Sequence, residues 1–362
     1  MADFAVHPGL VLRSSGGGGS STSDSNRPLY VSTSGMTCTG WSMAGGHLGE
    51  AHASEIPRAA WAAERQRYAE LGLEDVAFGE CVRQFPTGKL DWPQFDKKTI
   101  ITGPEMMGWP TRRTRLFCAL LNRRTVCWVG ASDYVAEFSE KYYRITQLSG
   151  DSLLVTSDEE LHALYQSMAV IQGNYVDKSL FAQMSTCELM ECILSVSAKQ
   201  IHEEYEAVRH EYQSPGGKFM VDLQQHPDMS GSQGPDFPAQ LTHGIIASLP
   251  DARTGEKFRI ASGFDHLSAN GFHVCSATTK ANPPSKMRKI FTQLNEANQK
   301  FLSGNGMHLA CLAAWLCYIL SNIVRIDKPF EIKRPLSYDS LPEDDEVDVG
   351  SCRHESSSST EY

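Results

Sequence analysis

The chain has 362 residues, of which 41% are hydrophobic, and it contains 29 glycines and 17 prolines. This length allows two domains or one domain with a large insertion, and the glycine and proline content predicts long connections. The formal charge of −10 is uneven. After residue 336 eight acidic residues face Arg353 alone, so that segment carries −7 and the rest of the chain −3. The nearly neutral body excludes a protein that is acidic throughout and is compatible with a basic groove.

Cysteine usage and hydropathy argue against two further classes, zinc proteins and membrane proteins. The ten cysteines include no Cys-x-x-Cys pair and no signal-peptide pattern is visible, so we expect a reducing, intracellular compartment. Cys187 and Cys192 lack a second pair of ligands, so no zinc site is expected. The most apolar segment, Met307 to Val324, contains polar residues and lacks flanking aromatic belts, which favours a buried helix over a membrane span.

Composition divides the chain into five segments. Residues 1–28 are rich in Gly and Ser and predict a flexible leader. Residues 29–130 alternate strand and helix patterns and predict the core of an α/β sheet. Residues 131–255 predict an inserted region with helices and a loop-rich stretch, and residues 256–330 return to the regular pattern of the core. Residues 331–362 are rich in Ser, Asp and Glu, and they predict a disordered acidic tail.

Turn and propensity signals predict individual elements within these segments. Pro57 in a first turn and Gly72 at a stop predict a helix over Ile56–Leu71. A hairpin is expected across residues 122–124. The other predicted elements are strands at Leu29, Asp75–Val82 and Lys98–Thr102 and helices over Asp158–Val170, Glu188–Tyr212, Met287–Leu302 and Met307–Ile326.

Cys38 follows the strand that begins at Leu29, and Gly35 and Gly40 loosen the backbone on either side of it. A thiol at the carboxyl end of a strand in an α/β sheet lies where ligands usually bind, so Cys38 is a candidate nucleophile. A cysteine considered alone is more often a buried structural residue. The motifs that follow it in the sequence therefore decide its interpretation.

Those motifs carry a family resemblance. In chain order they are Thr37-Cys38-Thr39 with Trp41-Ser42, Glu80-Cys81-Val82, Gly108-x-Pro110-Thr111-x-Arg113-x-Arg115, Arg259-x-Ala261-Ser262 with Asn270-Gly271-Phe272, and Gly304-Asn305-Gly306-Met307. In this order and spacing they resemble the DNA cytosine-5 methyltransferase family. The resemblance covers roughly residues 29–130 and 256–326, and it implies that residues 131–255 occupy the position of a target-recognition region.

The resemblance implies a Rossmann-like class I methyltransferase sheet, N-terminally incomplete, and S-adenosylmethionine-dependent methyl transfer to C5 of cytosine in DNA. It also implies a nuclear location and DNA as partner. The hydropathy predicts no membrane partner, and the charge of the acidic tail predicts a basic protein partner for it. The residues implied for the site are Cys38, Glu80, Arg113 and Arg115 for catalysis and Ser42, Gly304, Asn305 and Gly306 for S-adenosylmethionine.

The implied roles agree with the chemistry of these side chains. A thiolate of Cys38 would add to C6 of the base, and the acid of Glu80 would protonate or hydrogen-bond N3. Arg115 and Arg113 would orient the base, which must leave the duplex to reach them. Phosphate contacts would fall to basic residues near these motifs. Those residues are Arg112, Arg123, Arg124, Lys286, Arg288 and Lys289.

Departures from the family pattern leave alternatives open. Thr37 and Thr39 flank the thiol where the family has Pro and Gln, and Cys81 stands where it has Asn. A Phe-x-Gly-x-Gly-like cofactor loop is not found before Cys38, so the cofactor site is expected to be incomplete. The alternatives are a catalytically inactive nucleic-acid-binding or scaffold module, an RNA cytosine-5 methyltransferase, and a thiol hydrolase using His47 or His52. Asp265 and His266 are expected to be structural.

Overall fold

The computed structural model describes residues 10–12, 28–36, 39–42, 46–145, 148–171, 178–181, 183–212, 219–229, 233–242, 244–249, 258–275 and 285–326. Two predictions fall outside these residues. Cys38, the predicted nucleophile, lies in the gap between residues 36 and 39, and the predicted acidic tail begins beyond residue 326.

The main sheet has the strand order β1-β2-β3-β5-β4. Its strands are β1 (Leu10–Leu12), β2 (Leu29–Gly35), β3 (Val76–Val82), β4 (Phe95–Thr102) and β5 (Arg115–Asn122). β2 and β3 are parallel, β5 is antiparallel to both β3 and β4, and β1 is antiparallel to β2. The carboxyl ends of β2, β3 and β4 therefore meet where β5 begins, at what we call the carboxyl edge. This mixed sheet, with helices on both faces, confirms the predicted α/β fold class.

Ten helices lie among the residues that the structure describes. They are α1 (Glu55–Glu70), α2 (Tyr134–Tyr142), α3 (Asp158–Ile171), α4 (Lys178–Phe181), α5 (Thr186–Ile193), α6 (Val196–Tyr212), α7 (Gly263–Ala269), α8 (Lys286–Phe291), α9 (Glu296–Asn305) and α10 (Leu309–Ser321). None of them is long and apolar enough to cross a membrane.

Alternating side chains of the main sheet build two separate cores, as the period of two along a strand requires. On one face Phe78 and Phe117 pack with Trp315 of α10, and we call this the α10 face. On the opposite face Leu120 packs with Ala69 of α1. Because β3 is buried on both faces, its sequence is a nearly continuous apolar run interrupted by Glu80.

The inserted region has a sheet and a core of its own. The strands β7 (Phe219–Asp222), β8 (Gln233–Gly234), β9 (Ile246–Leu249) and β10 (Arg259–Ile260) form an antiparallel sheet in the order β10-β9-β7-β8. Its core joins side chains of β7 and β9 to α3, α5 and α6, through residues such as Tyr165, Leu189 and Tyr205. β10 lies beyond residue 255, so this sheet extends past the predicted boundary.

The predicted hairpin across residues 122–124 is wrong. β6 (Val126–Trp128) does not continue the main sheet but pairs antiparallel with β11 (Ile323–Arg325). The predicted helix over Met307–Ile326 consequently ends at Ser321, and the chain turns into that strand. β6 therefore pairs with a strand almost 200 residues away and not with the neighbouring strand of a local hairpin.

Other boundaries shift because cap residues begin new helices. The predicted helix Glu188–Tyr212 is two helices, since the Ser195 hydroxyl accepts a hydrogen bond from the Ala198 N–H and starts α6. The predicted helix Met287–Leu302 is likewise interrupted, because the side chain of Asn295 caps α9. In the predicted flexible leader, Leu10–Leu12 form an edge strand of the main sheet.

Candidate active site

Polar side chains converge at the carboxyl edge on the α10 face. Glu80 lies near the end of β3, Arg115 opens β5 and Thr102 ends β4. Arg115 is paired in register with Val82 on one side and with Thr102 on the other. All three polar residues share the α10 face, because they alternate in step with its core residues Phe78, Phe117 and Ile100. The edge outside the carboxyl ends of parallel strands is where α/β proteins bind ligands.

A buried Glu80 lies beside the half-buried guanidinium of Arg115. Arg115 Nε lies 3.1 Å from Glu80 Oε1, and the two side chains are 22% and 9% exposed. The N–H is not aligned on this oxygen, so among the described residues Oε1 accepts no hydrogen bond. Burial raises the pKa of the Glu80 carboxyl, while the charges of Arg113 and Arg115 oppose that rise. The pair thus offers an acid that holds its proton to higher pH than a free glutamate.

A backbone hydrogen bond brings Met36, the last described residue before the gap, to the end of β3. The N–H of Met36 donates to the carbonyl of Glu80 at 2.9 Å, directly after β2 and β3 end their parallel ladder at Gly35. Met36 is buried in the core on the α1 face, where a Cβ added to Gly79 would lie 3.0 Å from the Met36 Cε.

The residues that follow the gap are held by Trp41. Its indole N–H donates to Glu55 Oε1 at 3.0 Å, its ring lies edge-on to Phe85, and the Lys89 ammonium lies 5.4 Å from its ring centre. Ser42, predicted to bind the cofactor, donates from its hydroxyl to the carbonyl of Thr39 at 2.7 Å. Ser42 therefore stabilises the turn formed by residues 39–42, which Trp41 connects to the first residue of α1.

Arg113 is a structural link rather than an exposed base-binding group. It is 3% exposed, and its Nη2 donates to the carbonyls of Gly304 and Gly306 at 3.0 and 2.6 Å. Its Nη1 lies 3.4 Å from the carbonyl of Gln240. One guanidinium therefore joins the β4–β5 connection, the inserted region and the turn after α9.

The hydrogen bonds of Arg113 involve two of the residues predicted to bind the cofactor, Gly304 and Gly306. The carbonyls of Gly304 and Gly306 face Arg113, and a Cβ on Gly304 would lie 2.7 Å from the backbone nitrogen of Thr242. Asn305 is exposed at the end of α9. The two glycines thus serve close backbone packing, and only Asn305 offers an exposed side chain. Arg113 joins Gly304 and Gly306 to the carboxyl edge.

The predicted phosphate contacts differ in exposure and position. Arg123 and Arg124 are exposed after the far end of β5, seven strand residues or roughly 24 Å from Arg115, so they lie at the opposite edge of the sheet. Arg288 is 4% exposed and pairs with Glu160 at 2.6 Å, while its guanidinium stacks on Phe264. Arg288 is therefore corrected to a structural residue, and the prediction for Arg123 and Arg124 stays a prediction.

Of the remaining predicted phosphate contacts, Arg112 is engaged by the inserted region. It contacts Asp236 at 3.3 Å and donates to the carbonyl of Gln233 at 2.7 Å. Lys286 and Lys289 are exposed on α8. The prediction for these two lysines stays a prediction.

The structure also shows site neighbours that no sequence motif indicated. Glu105 accepts hydrogen bonds from the Arg113 N–H at 3.2 Å and the Thr114 hydroxyl at 2.5 Å, which fixes the chain just before Arg115. His308 is buried edge-on to Trp109, and burial next to the charge of Arg113 lowers its pKa to about 3. His308 is therefore neutral.

Asp265 and His266, expected to be structural, are buried away from any cluster of ligands. Asp265 accepts from the Val155, Thr156 and Ser262 N–H groups and from Arg259. No group of three or more His, Cys, Asp or Glu side chains in the described part of the chain is arranged to hold a metal ion.

Comparisons with known proteins give weak similarities only. No family model and no curated protein matches the chain. Among solved structures, Entamoeba histolytica methyltransferase EhMeth has 13% identity and a TM-score of 0.40, covering 80% of this chain and 77% of its own. S. pombe Dnmt2 methyltransferase has 12% identity and a TM-score of 0.38, covering 71% of each chain. Spodoptera frugiperda DNMT2 has 12% identity and a TM-score of 0.29, covering 68% and 67%. These values are too low to assign a family or an activity.

Proposed function

We propose that this chain acts on a cytosine base in nucleic acid, as a cytosine-5 methyltransferase whose nucleophile is Cys38. The observation that supports it best is the Glu80–Arg115 pair at the carboxyl edge, next to the backbone bond that joins Met36 to β3. An acid, a fixed cation and a thiol are the three groups that the addition reaction requires. DNA is the proposed substrate and RNA the alternative, since the same chemistry serves both.

The reaction assigns one task to each residue. The Cys38 thiolate forms a bond to C6, the C5–C6 π electrons shift toward C5, and protonated Glu80 supplies a proton or a hydrogen bond to N3. The Arg115 guanidinium stabilises charge on the base carbonyl. Cleavage of the S–C6 bond reverses the addition, because the sulfur leaves with the bonding pair, the C5–C6 π bond forms again and the N3 proton returns to Glu80. Burial raises the pKa of the Glu80 carboxyl above its ordinary value, which favours the protonated form that this role requires.

S-adenosylmethionine would supply the electrophilic methyl group. Three of the four residues predicted to hold it are already engaged: the carbonyls of Gly304 and Gly306 accept from Arg113, and the Ser42 hydroxyl donates to the Thr39 carbonyl. These three therefore do not fit a cofactor-binding role, and Asn305 is the predicted cofactor residue with an exposed side chain.

Covalent trapping tests the proposal. A duplex carrying 5-fluorocytosine is incubated with S-adenosylmethionine and the wild type, Cys38→Ser or Cys127→Ser, and adducts are resolved under denaturing conditions. Cys127 is an exposed cysteine on β6 and serves as the matched control. We expect adducts with the wild type and Cys127→Ser and none with Cys38→Ser. A wild type that never traps, on DNA or on an RNA of the same sequence, would contradict the proposal.

A second candidate is a catalytically inactive nucleic-acid-binding or scaffold module. The use of Gly304 and Gly306 as partners of Arg113, rather than of a ligand, favours it. Titration calorimetry with S-adenosylmethionine separates the two, because saturable binding by this chain would exclude the inactive module. The hydrolase alternative has less support, since His52 Nδ1 is bonded to the Ser54 hydroxyl at 2.9 Å.

A further inference from the structure

Thr102 is a buried hydroxyl at the carboxyl edge with no partner in the described part of the chain. Its residue exposure is 0%, and its Oγ1 makes no hydrogen bond. A buried hydroxyl without a partner is unfavourable for folding, because its desolvation is not compensated. Polar groups that break this rule in a folded core are often retained for function.

The register of the sheet sets Thr102 beside Arg115. The two residues are direct antiparallel partners, and side chains in such positions have Cβ atoms about 5 Å apart on the same face. Glu80 lies across β5 from Thr102, diagonal to Arg115 on the neighbouring strand. Arg115 therefore stands between a carboxylate on one side and an unused hydroxyl on the other.

Arg115 has donors to satisfy both neighbours. A guanidinium carries five N–H donors, and in the described structure Nε faces Glu80 Oε1 while Nη1 donates to the carbonyl of Thr114 at 2.9 Å. Glu80 Oε1 accepts no hydrogen bond from Arg115, so this contact alone does not fix the guanidinium when Glu80 engages N3 of a base. The guanidinium then needs another acceptor to stay in place, and the Thr102 hydroxyl is the nearest unused one by register.

We propose that Thr102 is a positioning residue that accepts a hydrogen bond from Arg115 when a base occupies the site. This inference rests on the proposed function and adds a residue that no sequence motif indicates. It predicts that Thr102 contributes to base recognition only through Arg115, and that removing its hydroxyl does not weaken the ligand-free fold.

The test uses Thr102→Val, which keeps the shape, Thr102→Ser, which keeps the hydroxyl, and Thr99→Val as control. Thr99 lies on the same strand with its side chain on the opposite face. The probes are two single-stranded oligodeoxynucleotides that differ at one position, which is a cytosine in one and an abasic site in the other. Affinity for both is measured together with the Tm of the ligand-free protein.

We expect Thr102→Val to keep its Tm or raise it by about 1–2 °C, and to lose roughly fivefold of the preference for cytosine over the abasic site. Thr102→Ser and Thr99→Val should keep that preference. In a cycle with Arg115→Ala, the Thr102→Val change should have no further effect, because both act on the same contact.

Three results would overturn the inference: no cytosine preference in the wild type, additive effects in the cycle, or a lowered Tm with an unchanged preference. Failure of the proposed function is recognised separately. A Thr102-dependent preference without any Cys38 adduct contradicts the methyl transfer alone, whereas adducts that form equally in Thr102→Val contradict the positioning role alone.

Discussion

At the scale of single residues, the site depends on charges that are held out of water. Glu80 interrupts a strand whose other residues are almost all buried and apolar, and its nearest charges are two arginines. Burial disfavours its ionised form more than the arginines favour it, and this balance raises its pKa. A glutamate elsewhere on the surface would be ionised well below neutral pH.

This balance predicts the pH dependence of stability. The folded-state pKa of Glu80 lies above its ordinary value of 4.5. The stabilisation that protonated Glu80 gives the folded state is therefore fully present below pH 4.5 and is lost as pH rises through the folded-state pKa. We expect the wild type to lose free energy of unfolding relative to Glu80→Gln as pH rises from 4.5 toward neutrality. Urea unfolding of both proteins across that range measures the difference.

Glu137 provides a control of opposite sign. Hydrogen bonds from Lys141 and Tyr318 lower its pKa, so its contribution is present above pH 4.5 and is lost as pH falls. Glu137→Gln should therefore differ from the wild type least at low pH. The free energy of unfolding of the wild type could instead increase with pH relative to that of Glu80→Gln. That result would mean that the arginines lower the pKa of Glu80 more than burial raises it, and it would contradict the acid role of Glu80.

At the scale of elements, the end of α9 is fixed by close backbone packing. Glycine is a poor helix former, yet Gly304 lies inside α9 where a Cβ would approach the Thr242 nitrogen to 2.7 Å and its Cα to 2.8 Å. Backbone atoms of a neighbouring segment cannot move aside as a flexible side chain can. The Arg113 guanidinium donates to the carbonyl of Gly304, so the position of this turn also affects the β4–β5 connection.

Gly304→Ala should consequently destabilise the protein, although alanine is the better helix former. We expect a loss of about 1–3 kcal/mol in the free energy of unfolding, measured by urea titration. Gly88→Ala is the matched control, since the added Cβ would meet only the Asp91 carboxylate at 3.7 Å. A neutral Gly304→Ala would mean that residues 241–242 yield to the added methyl group.

The elements also show what can be inferred from sequence. The helix predicted for Ile56–Leu71 spans Glu55–Glu70, and Gly72 adopts φ +66° directly after it, because local signals decide a stop of this kind. The pairing of β6 with β11 has no local signal, so a hairpin with an ordinary turn was the natural prediction. No sequence signal indicates Thr102 either, because its position beside Arg115 follows only from the register of β4 and β5.

Residue roles are harder to infer than motif positions. The spacing of Arg113 and Arg115 places both near Glu80, as the electrostatic influence of both on its pKa shows. Only the fold distinguishes them, although they are two residues apart: Arg115 lies beside Glu80, while Arg113 reaches the carbonyls of Gly304 and Gly306. The motif alone indicated a base-binding role for both arginines, and the contact with Glu80 supports it for Arg115.

At the scale of the whole molecule, charge is divided between the core and the inserted region. Residues 29–130 and 256–330 together contain 21 basic and 14 acidic residues, whereas residues 131–255 contain 7 basic and 18 acidic ones. A polyanion is attracted to the first set and repelled by the second. This distribution favours phosphate contacts on the core, where the predicted phosphate-binding residues also lie.

The salt dependence of nucleic-acid binding tests this division. Arg83 is exposed one residue beyond β3, at the carboxyl edge, and Lys199 lies on α6 in the inserted region, 3.5 Å from Glu191. Each phosphate contact contributes about one to the slope of log affinity against log salt concentration. We expect Arg83→Ala to reduce that slope by about one and Lys199→Ala to leave it unchanged, with affinities measured between low and moderate salt. The opposite outcome would show that the inserted region holds the backbone despite its net negative charge, which would require its few cations to be concentrated on one surface.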